Sequence, residues 1–170
     1  GRNGKARTGY PGGCVIGKRP VDLHIQVLQK LGARIVENGN EIQATCGKLK
    51  GAEVIFPKSS VGATEQGILA AVLAEGKTVF TGCAREPEIT WLCQYLTGMG
   101  AKIEILENGS ICIEGVKKLH PGSGTIPPDR IVAGTYLMAV AATRGEIILE
   151  NPPIDEMHAI VEVYRKMGGQ

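Results

Sequence analysis

The sequence predicts an α/β fold built from a repeated unit of strand, helix, strand, helix and hairpin. Three observations predict it: helices that end in glycine at a fixed spacing, Asn-Gly turns between short apolar arms, and a second helix type that recurs in step with the first. The glycines stand in Leu31-Gly32-Ala33-Arg34-Ile35, Met99-Gly100-Ala101-Lys102-Ile103 and Met167-Gly168-Gly169, and the steps from 32 to 100 and from 100 to 168 are both 68 residues. Self-similarity at a fixed period marks one supersecondary unit copied along the chain.

Each helix that ends at such a glycine carries an apolar stripe. The stripes are Val21, Ile25, Leu28 and Leu31; Ile89, Leu92, Leu96 and Met99; and Met157, Ile160, Val161, Tyr164 and Met167. Spacings of three and four predict amphipathic helices docked along one side. Pro20, Pro87 and Pro153 stand at or near the starts, where a missing N–H is harmless, and glycine just past the end suits a left-handed cap.

After the first two glycines come paired arms, Ala33–Val36 with Glu41–Thr45 and Ala101–Leu106 with Ile111–Glu114, turning at Asn38-Gly39 and Asn108-Gly109. Asn-Gly between apolar arms is a strong hairpin signal. The first arm of the second hairpin is expected to be two residues longer. The second helix type is read over Ala63–Ala74 before Gly76 and over Ile131–Thr143 before Gly145, each followed by a strand, Lys77–Thr81 and Glu146–Leu149. Measured against this unit, the chain begins partway in and stops where a third hairpin is due, so it reads as a slice of a longer protein.

At 170 residues there is material for one good core, or one and a fraction. Hydrophobic residues make up 43% and charged residues 21%, both close to globular averages, while 24 glycines and only 4% aromatics suit turn-rich packing. The net charge of +2 comes from 19 basic and 17 acidic residues spread along the chain, without the basic stripe that nucleic-acid binding needs. The longest apolar run, Ile68 to Ala74, is too short to cross a bilayer. Neither nucleic acid nor membrane is an expected partner, and the expected location is the cytoplasm. Five cysteines (14, 46, 83, 93 and 112) form an odd set with no Cys-x-x-Cys pair and no histidines at zinc-ligand spacing, so free thiols and no metal are expected.

The richest stretch chemically runs from Pro11-Gly12-Gly13-Cys14 through Gly17-Lys18-Arg19-Pro20 to Val21-Asp22-Leu23-His24. Glycines surround a thiol, and two cations follow just ahead of a helix start; cations and helix dipole both favour thiolate. Cys14 is therefore the candidate reactive thiol. Glycines acting as turn-formers beside a solvated basic face would leave the same pattern. Cys83 lies at nearly the same point of the repeat but lacks the glycine-rich flanks, and reads as packing. Arg19 offers a two-pronged guanidinium at a helix start, which suits a phosphate. A second such place is Lys58-Ser59-Ser60-Val61, leading through Gly62 into the next helix, although a serine N-cap beside a surface lysine is an equal reading. The carboxylates of Arg85-Glu86-Pro87-Glu88 and Asp129-Arg130 are explained by helix capping. His24 sits one turn inside its helix near the cysteine loop, whereas His120 and His158 have no companions.

The segment Pro-Gly-Gly-Cys-x-Ile-Gly-x-Arg-Pro-Val-Asp-Leu-His resembles the UDP-N-acetylglucosamine 1-carboxyvinyltransferase family of enolpyruvyl transferases. Further similarities follow in family order at residues 47–52 (Gly-Lys-Leu-Lys-Gly-Ala), 60–64 (Ser-Val-Gly-Ala-Thr), 84–89 (Ala-Arg-Glu-Pro-Glu-Ile), 100–103, 113–116 and 128–131 (Pro-Asp-Arg-Ile). The resemblance implies an inside-out α/β barrel of repeated units, with residues 1–127 as the later part of one domain and 128–170 as the beginning of a second. It implies transfer of the enolpyruvyl group of phosphoenolpyruvate to the 3'-hydroxyl of UDP-N-acetylglucosamine, without cofactor. It makes Cys14 the acid that protonates C3 of phosphoenolpyruvate, places a phosphate on Arg19, and sets Arg19, Pro20, Val21, Asp22 and Leu23, with Lys58, Ser59, Ser60 and Val61, against the UDP-sugar. The remainder of the full-length chain is then an obligatory partner, since a Lys-Asn pair, a later Asp and further arginines of the family fall outside these 170 residues.

Two other readings use the same residues. A 3-phosphoshikimate enolpyruvyl transferase relative would share the repeat without a cysteine loop, and Gly13-Cys14 with Asp22-Leu23-His24 argues against it. A non-catalytic UDP-sugar-binding or assembly module on the same repeat would bind the nucleotide sugar with Cys14 unreactive.

Overall fold

The computed structural model describes residues 3–12 and 20–170. It divides into two compact units, Gly1–Ser123 and Gly124–Gln170, against the division expected after residue 127.

In the first unit, β1 (Lys5–Gly9) is followed by helix α1 (Asp22–Lys30), the hairpin β2 (Arg34–Asn38) and β3 (Glu41–Thr45), strand β4 (Glu53–Ile55), helix α2 (Val61–Ala71), strand β5 (Lys77–Thr81), helix α3 (Pro87–Gly98) and the hairpin β6 (Lys102–Ile105) and β7 (Ile111–Glu114). The strands form two open sheets, β1-β3-β2 and β4-β5-β7-β6. In both, a strand that enters a helix pairs antiparallel with the second arm of the hairpin that follows: β1 with β3, and β5 with β7. The sheet pairing thus repeats with the sequence period. Strands β4 and β5 run parallel, which requires a crossover, and α2 supplies it. The seven described strands do not close into a barrel.

The glycine caps stand where expected. Gly32, Gly100 and Gly168 have φ of 93°, 94° and 92°, the left-handed conformation that a side chain resists. Helix α3 begins with Pro87 in its first turn.

Several details differ from expectation. The buried face of α1 is Leu23, Val27 and Leu31, while Val21, Ile25 and Leu28 are half-buried against the three-stranded sheet. Apolar neighbours on two sides give this helix two apolar faces, and the stripe read from spacing was the less buried one. The first arm of the second hairpin is not the longer one: β6 has four residues against five in β2, and the added length lies in the turn. Gly39 and Asn40 alone connect β2 to β3, whereas Leu106 to Ser110 connect β6 to β7, closed by Gly109 N–H on the Leu106 carbonyl (2.7 Å) and Leu106 N–H on the Ser110 carbonyl (2.9 Å). Third, β1 and β4 were not located from sequence, because Lys5–Gly9 is exposed throughout and Glu53–Ile55 has three residues, too few to show an alternation. Last, residues 146–149 form no strand. A strand needs an edge to pair with, and the unit of residues 124–170 offers no other strand.

The core of the first unit lies between the four-stranded sheet and the helices. Val54, Phe80, Ile111 and Ile113 alternate inward from β4, β5 and β7, and meet Val27, Leu31, Ile68, Ile89 and Leu96 from the helices. Phe56 and Phe80 add a tilted ring pair with centroids 5.9 Å apart. The second unit holds α4 (Arg130–Thr143), a 3-10 turn (Ile154–Glu156) and α5 (His158–Lys166). Asp129 caps α4, its carboxylate accepting from the N–H groups of Ile131 (2.7 Å) and Val132 (3.0 Å). The left-handed residue that ends α4 is Arg144 at φ 56°, one position before the glycine expected there.

Candidate functional site

Helices α1 and α2 pack side by side and run in the same direction. The His24 ring lies against Gly62, and Val27 against Gly67, so both contacts advance toward the C-terminal ends. The two helix starts therefore stand together, and their free N–H groups and dipoles make that end electropositive. Both sequence-predicted binding segments arrive there. Pro20 and Asp22 are exposed and Val21 is half-buried at the α1 start; Lys58 and Ser59 are exposed and Ser60 half-buried at the α2 start.

Local chemistry explains why α2 begins at Val61. Ser60 is extended, at φ −151° and ψ 115°, and its hydroxyl accepts from the Ala63 N–H at 3.4 Å. The serine N-cap and the ligand-facing reading are thus compatible, since Lys58 and Ser59 remain in solvent. Thr64, fully buried, donates to the Ser60 carbonyl at 2.8 Å and accepts from the Ala84 N–H at 3.0 Å, which ties the first turn of α2 to the loop after β5. Helix α1 has no side-chain cap; Asp22 in its first turn complements the dipole instead.

Two expected contacts are restricted by burial. Leu23 is only 6% exposed and its side chain belongs to the core, which leaves its backbone at the helix start. Val61 is half-buried and packs against the core. Cys14 and Arg19 lie outside the described residues.

Beside the α1 start an open groove of about 800 Å³ runs between α1 and the three-stranded sheet. Val21, Ile25 and Leu28 form one wall, and Ile35, Ile42 and Ala44 the other. His24 and Gln66 close one side, joined by a hydrogen bond between His24 Nδ1 and Gln66 Oε1. Sequence reading passed over Gln66, because 42 residues separate the partners and no spacing rule links them. Thr64 appeared only as part of a motif.

The other thiols are in different surroundings. Burial pushes the Cys93 thiol up to about 11 and raises that of Cys83, so both hold their protons at neutral pH. Cys46 and Cys112 are half-buried. No group of three or more potential metal ligands occurs among the described residues, and none of the described helices is long and apolar enough to cross a membrane.

Comparison with known proteins gives a consistent picture. The family model for EPSP synthase (3-phosphoshikimate 1-carboxyvinyltransferase) matches residues 2–170. Curated relatives named UDP-N-acetylglucosamine 1-carboxyvinyltransferase include those of Paramagnetospirillum magneticum, 49% identical over 98% of this chain, and Koribacter versatilis, 45% identical over 98%. The chain spans 39% of the length of each. Among solved structures, the enolpyruvyl transferase NikO from Streptomyces tendae matches at a TM-score of 0.69 and 22% identity, over 81% of this chain and 33% of that one. EPSP synthase from Acinetobacter baumannii matches at 0.69 and 24%, over 95% and 37%. These two similarities concern the fold. On the family match and the relatives, with the fold in agreement, the chain belongs to the EPSP synthase (3-phosphoshikimate 1-carboxyvinyltransferase) family, the enolpyruvyl transferases.

Proposed function

We propose that the full-length protein containing this chain transfers the enolpyruvyl group of phosphoenolpyruvate to the 3'-hydroxyl of UDP-N-acetylglucosamine, releasing phosphate, in the cytoplasmic synthesis of peptidoglycan precursors. The observation that carries this reading is the set of relatives with that activity in their name, at 45–49% identity over 98% of the chain. The residues fit the chemistry. The sugar hydroxyl gives its proton to a base supplied by the rest of the full-length chain and adds to C2 of phosphoenolpyruvate while Cys14 gives a proton to C3; the tetrahedral intermediate then loses phosphate from C2 and a proton from C3, which restores the double bond. The Cys14 thiol can also add to C2 itself.

Charge accumulates on the phosphate as it leaves, and a cation held close to it lowers that barrier. Arg19 takes this role, with a planar fork that lysine does not reproduce. Pro20, Val21, Asp22 and the Leu23 backbone, together with Lys58, Ser59, Ser60 and Val61, receive the nucleotide sugar at the paired helix starts, where the diphosphate finds free N–H groups and Lys58. The glycine-rich Cys14 segment and the names of the relatives favour this reading over a 3-phosphoshikimate enolpyruvyl transferase.

The test is phosphate release by the full-length protein. Release should require both phosphoenolpyruvate and UDP-N-acetylglucosamine, fall at least 100-fold in Cys14→Ser, and be blocked covalently by the epoxide fosfomycin in wild type but not in that variant. Turnover with shikimate 3-phosphate in place of the UDP-sugar, or full activity in Cys14→Ser, would overturn the proposal.

A further inference from the structure

The Gln66–His24 pair joins the two segments that the proposed function assigns to the UDP-sugar, and the inference drawn from it rests on that assignment. His24 lies two residues after Asp22, which begins α1, and Gln66 about one turn beyond the Ser60–Val61 start of α2. With the amide oxygen of Gln66 accepting, Nδ1 of His24 carries the proton and donates it. The ring is also seated against α2: a β-carbon at Gly62 would stand 3.3 Å from Cε1 and 3.5 Å from Nε2. Further along the seam the contact is apolar, Val27 on Gly67. Apolar contacts resist separation but are weakly directional, so they allow two helices to slip along each other. A hydrogen bond has a required distance and angle, and this one fixes how far the α1 start stands beyond the α2 start.

We propose that Gln66 and His24 form a positioning pair that sets the spacing of the two helix starts, and through it the affinity for the nucleotide sugar. The pair acts on the UDP-sugar rather than on phosphoenolpyruvate, because the segments it joins, Pro20–Leu23 and Lys58–Val61, are assigned to the former, whereas the phosphate falls to Arg19 ahead of them.

The experiment uses the full-length protein with UDP-N-acetylglucosamine and phosphoenolpyruvate. Gln66→Leu keeps the bulk and removes the acceptor; it should raise KM for UDP-N-acetylglucosamine about fivefold, the worth of one hydrogen bond, with KM for phosphoenolpyruvate within about twofold. Gln66→Glu, which keeps an acceptor oxygen, should recover most of that loss. His24→Phe, which keeps a ring and removes the donor, should give the same split, and adding Gln66→Leu to it should cost nothing more. Unchanged KM for the UDP-sugar in both single variants, equal rises in both KM values, additive effects, or a lower Tm with unaltered KM would each overturn the positioning role. A wild-type protein that neither binds nor turns over the UDP-sugar would overturn the proposed function and this inference together, whereas an active wild type with indifferent variants overturns the inference alone.

Discussion

At the scale of single residues, burial separates the cysteines. Cys93 is 4% exposed, and burial pushes its thiol up to about 11 from an ordinary value near 9; Cys83 is likewise raised by burial. Iodoacetamide attacks thiolate, so native Cys83 and Cys93 should label only on unfolding. Cys14, between glycines and ahead of Lys18 and Arg19, should label first; mass spectrometry of protein treated with limiting reagent reads the order, and early labelling of Cys83 or Cys93 would contradict it. The same burial has a consequence in alkali. Below pH 9 the Cys93 thiol is protonated whether the chain is folded or not. Between pH 9 and about 11 the unfolded thiol ionises and the buried one does not, so stability falls across that window. Cys93→Ala should remove that part of the alkaline loss, measured as the difference in denaturation midpoint between pH 8.5 and 11 for the two proteins.

At the scale of elements, two glycines allow backbone to meet backbone. A β-carbon at Gly115, just after β7, would overlap the Ala74 carbonyl oxygen, and one at Gly51, before β4, would overlap the Lys77 carbonyl. Gly115 N–H also donates to the Gly76 carbonyl at 2.9 Å, so the strand end cannot withdraw without losing that bond. Gly115→Ala should therefore destabilise the fold by about 3 kcal/mol or more. Gly98, in the last turn of α3, has nothing within reach of an added β-carbon, and Gly98→Ala should be neutral or stabilising by up to about 1 kcal/mol. Urea midpoints of the two variants distinguish these outcomes. Element identity was largely legible, since the glycine caps and turn glycines act through local sterics. Gly115 was not legible as a packing point, because the carbonyl it faces is 41 positions away in sequence.

At the scale of the molecule, the two units differ in how much they bury. The first has a continuous core, while in residues 124–170 the buried apolar side chains are Ala133 and Met157. Ile126, Ile148 and Met167 are 90%, 87% and 65% exposed. Such a unit has too little apolar burial to order itself strongly. Catalysis in the proposed reaction needs two substrates held in near-attack geometry with water excluded. In the proposed reading, the Lys-Asn pair, the later Asp and the further arginines that the resemblance implies come from the rest of the full-length chain. The 170-residue chain alone should release phosphate at background rate with both substrates present, and turnover should appear in the full-length protein; robust turnover by the shorter chain would contradict the need for the remaining sequence.

The sequence by itself determined what depends on neighbours within a turn or two: the 68-residue period, the helix-ending glycines, the hairpins, and the motif that marks the family. These follow from backbone sterics and from the spacing of apolar residues, both local in the chain. Only the tertiary structure decided which face of α1 is deepest, that the extra hairpin residues enter the turn, that residues 146–149 remain unpaired, and that Leu23 has its side chain in the core. It also brought Pro20–Asp22 and Lys58–Ser60 to one end of two parallel helices and placed Gln66 on His24. Burial and pairing depend on what else is folded nearby, and that information is spread over residues tens of positions apart.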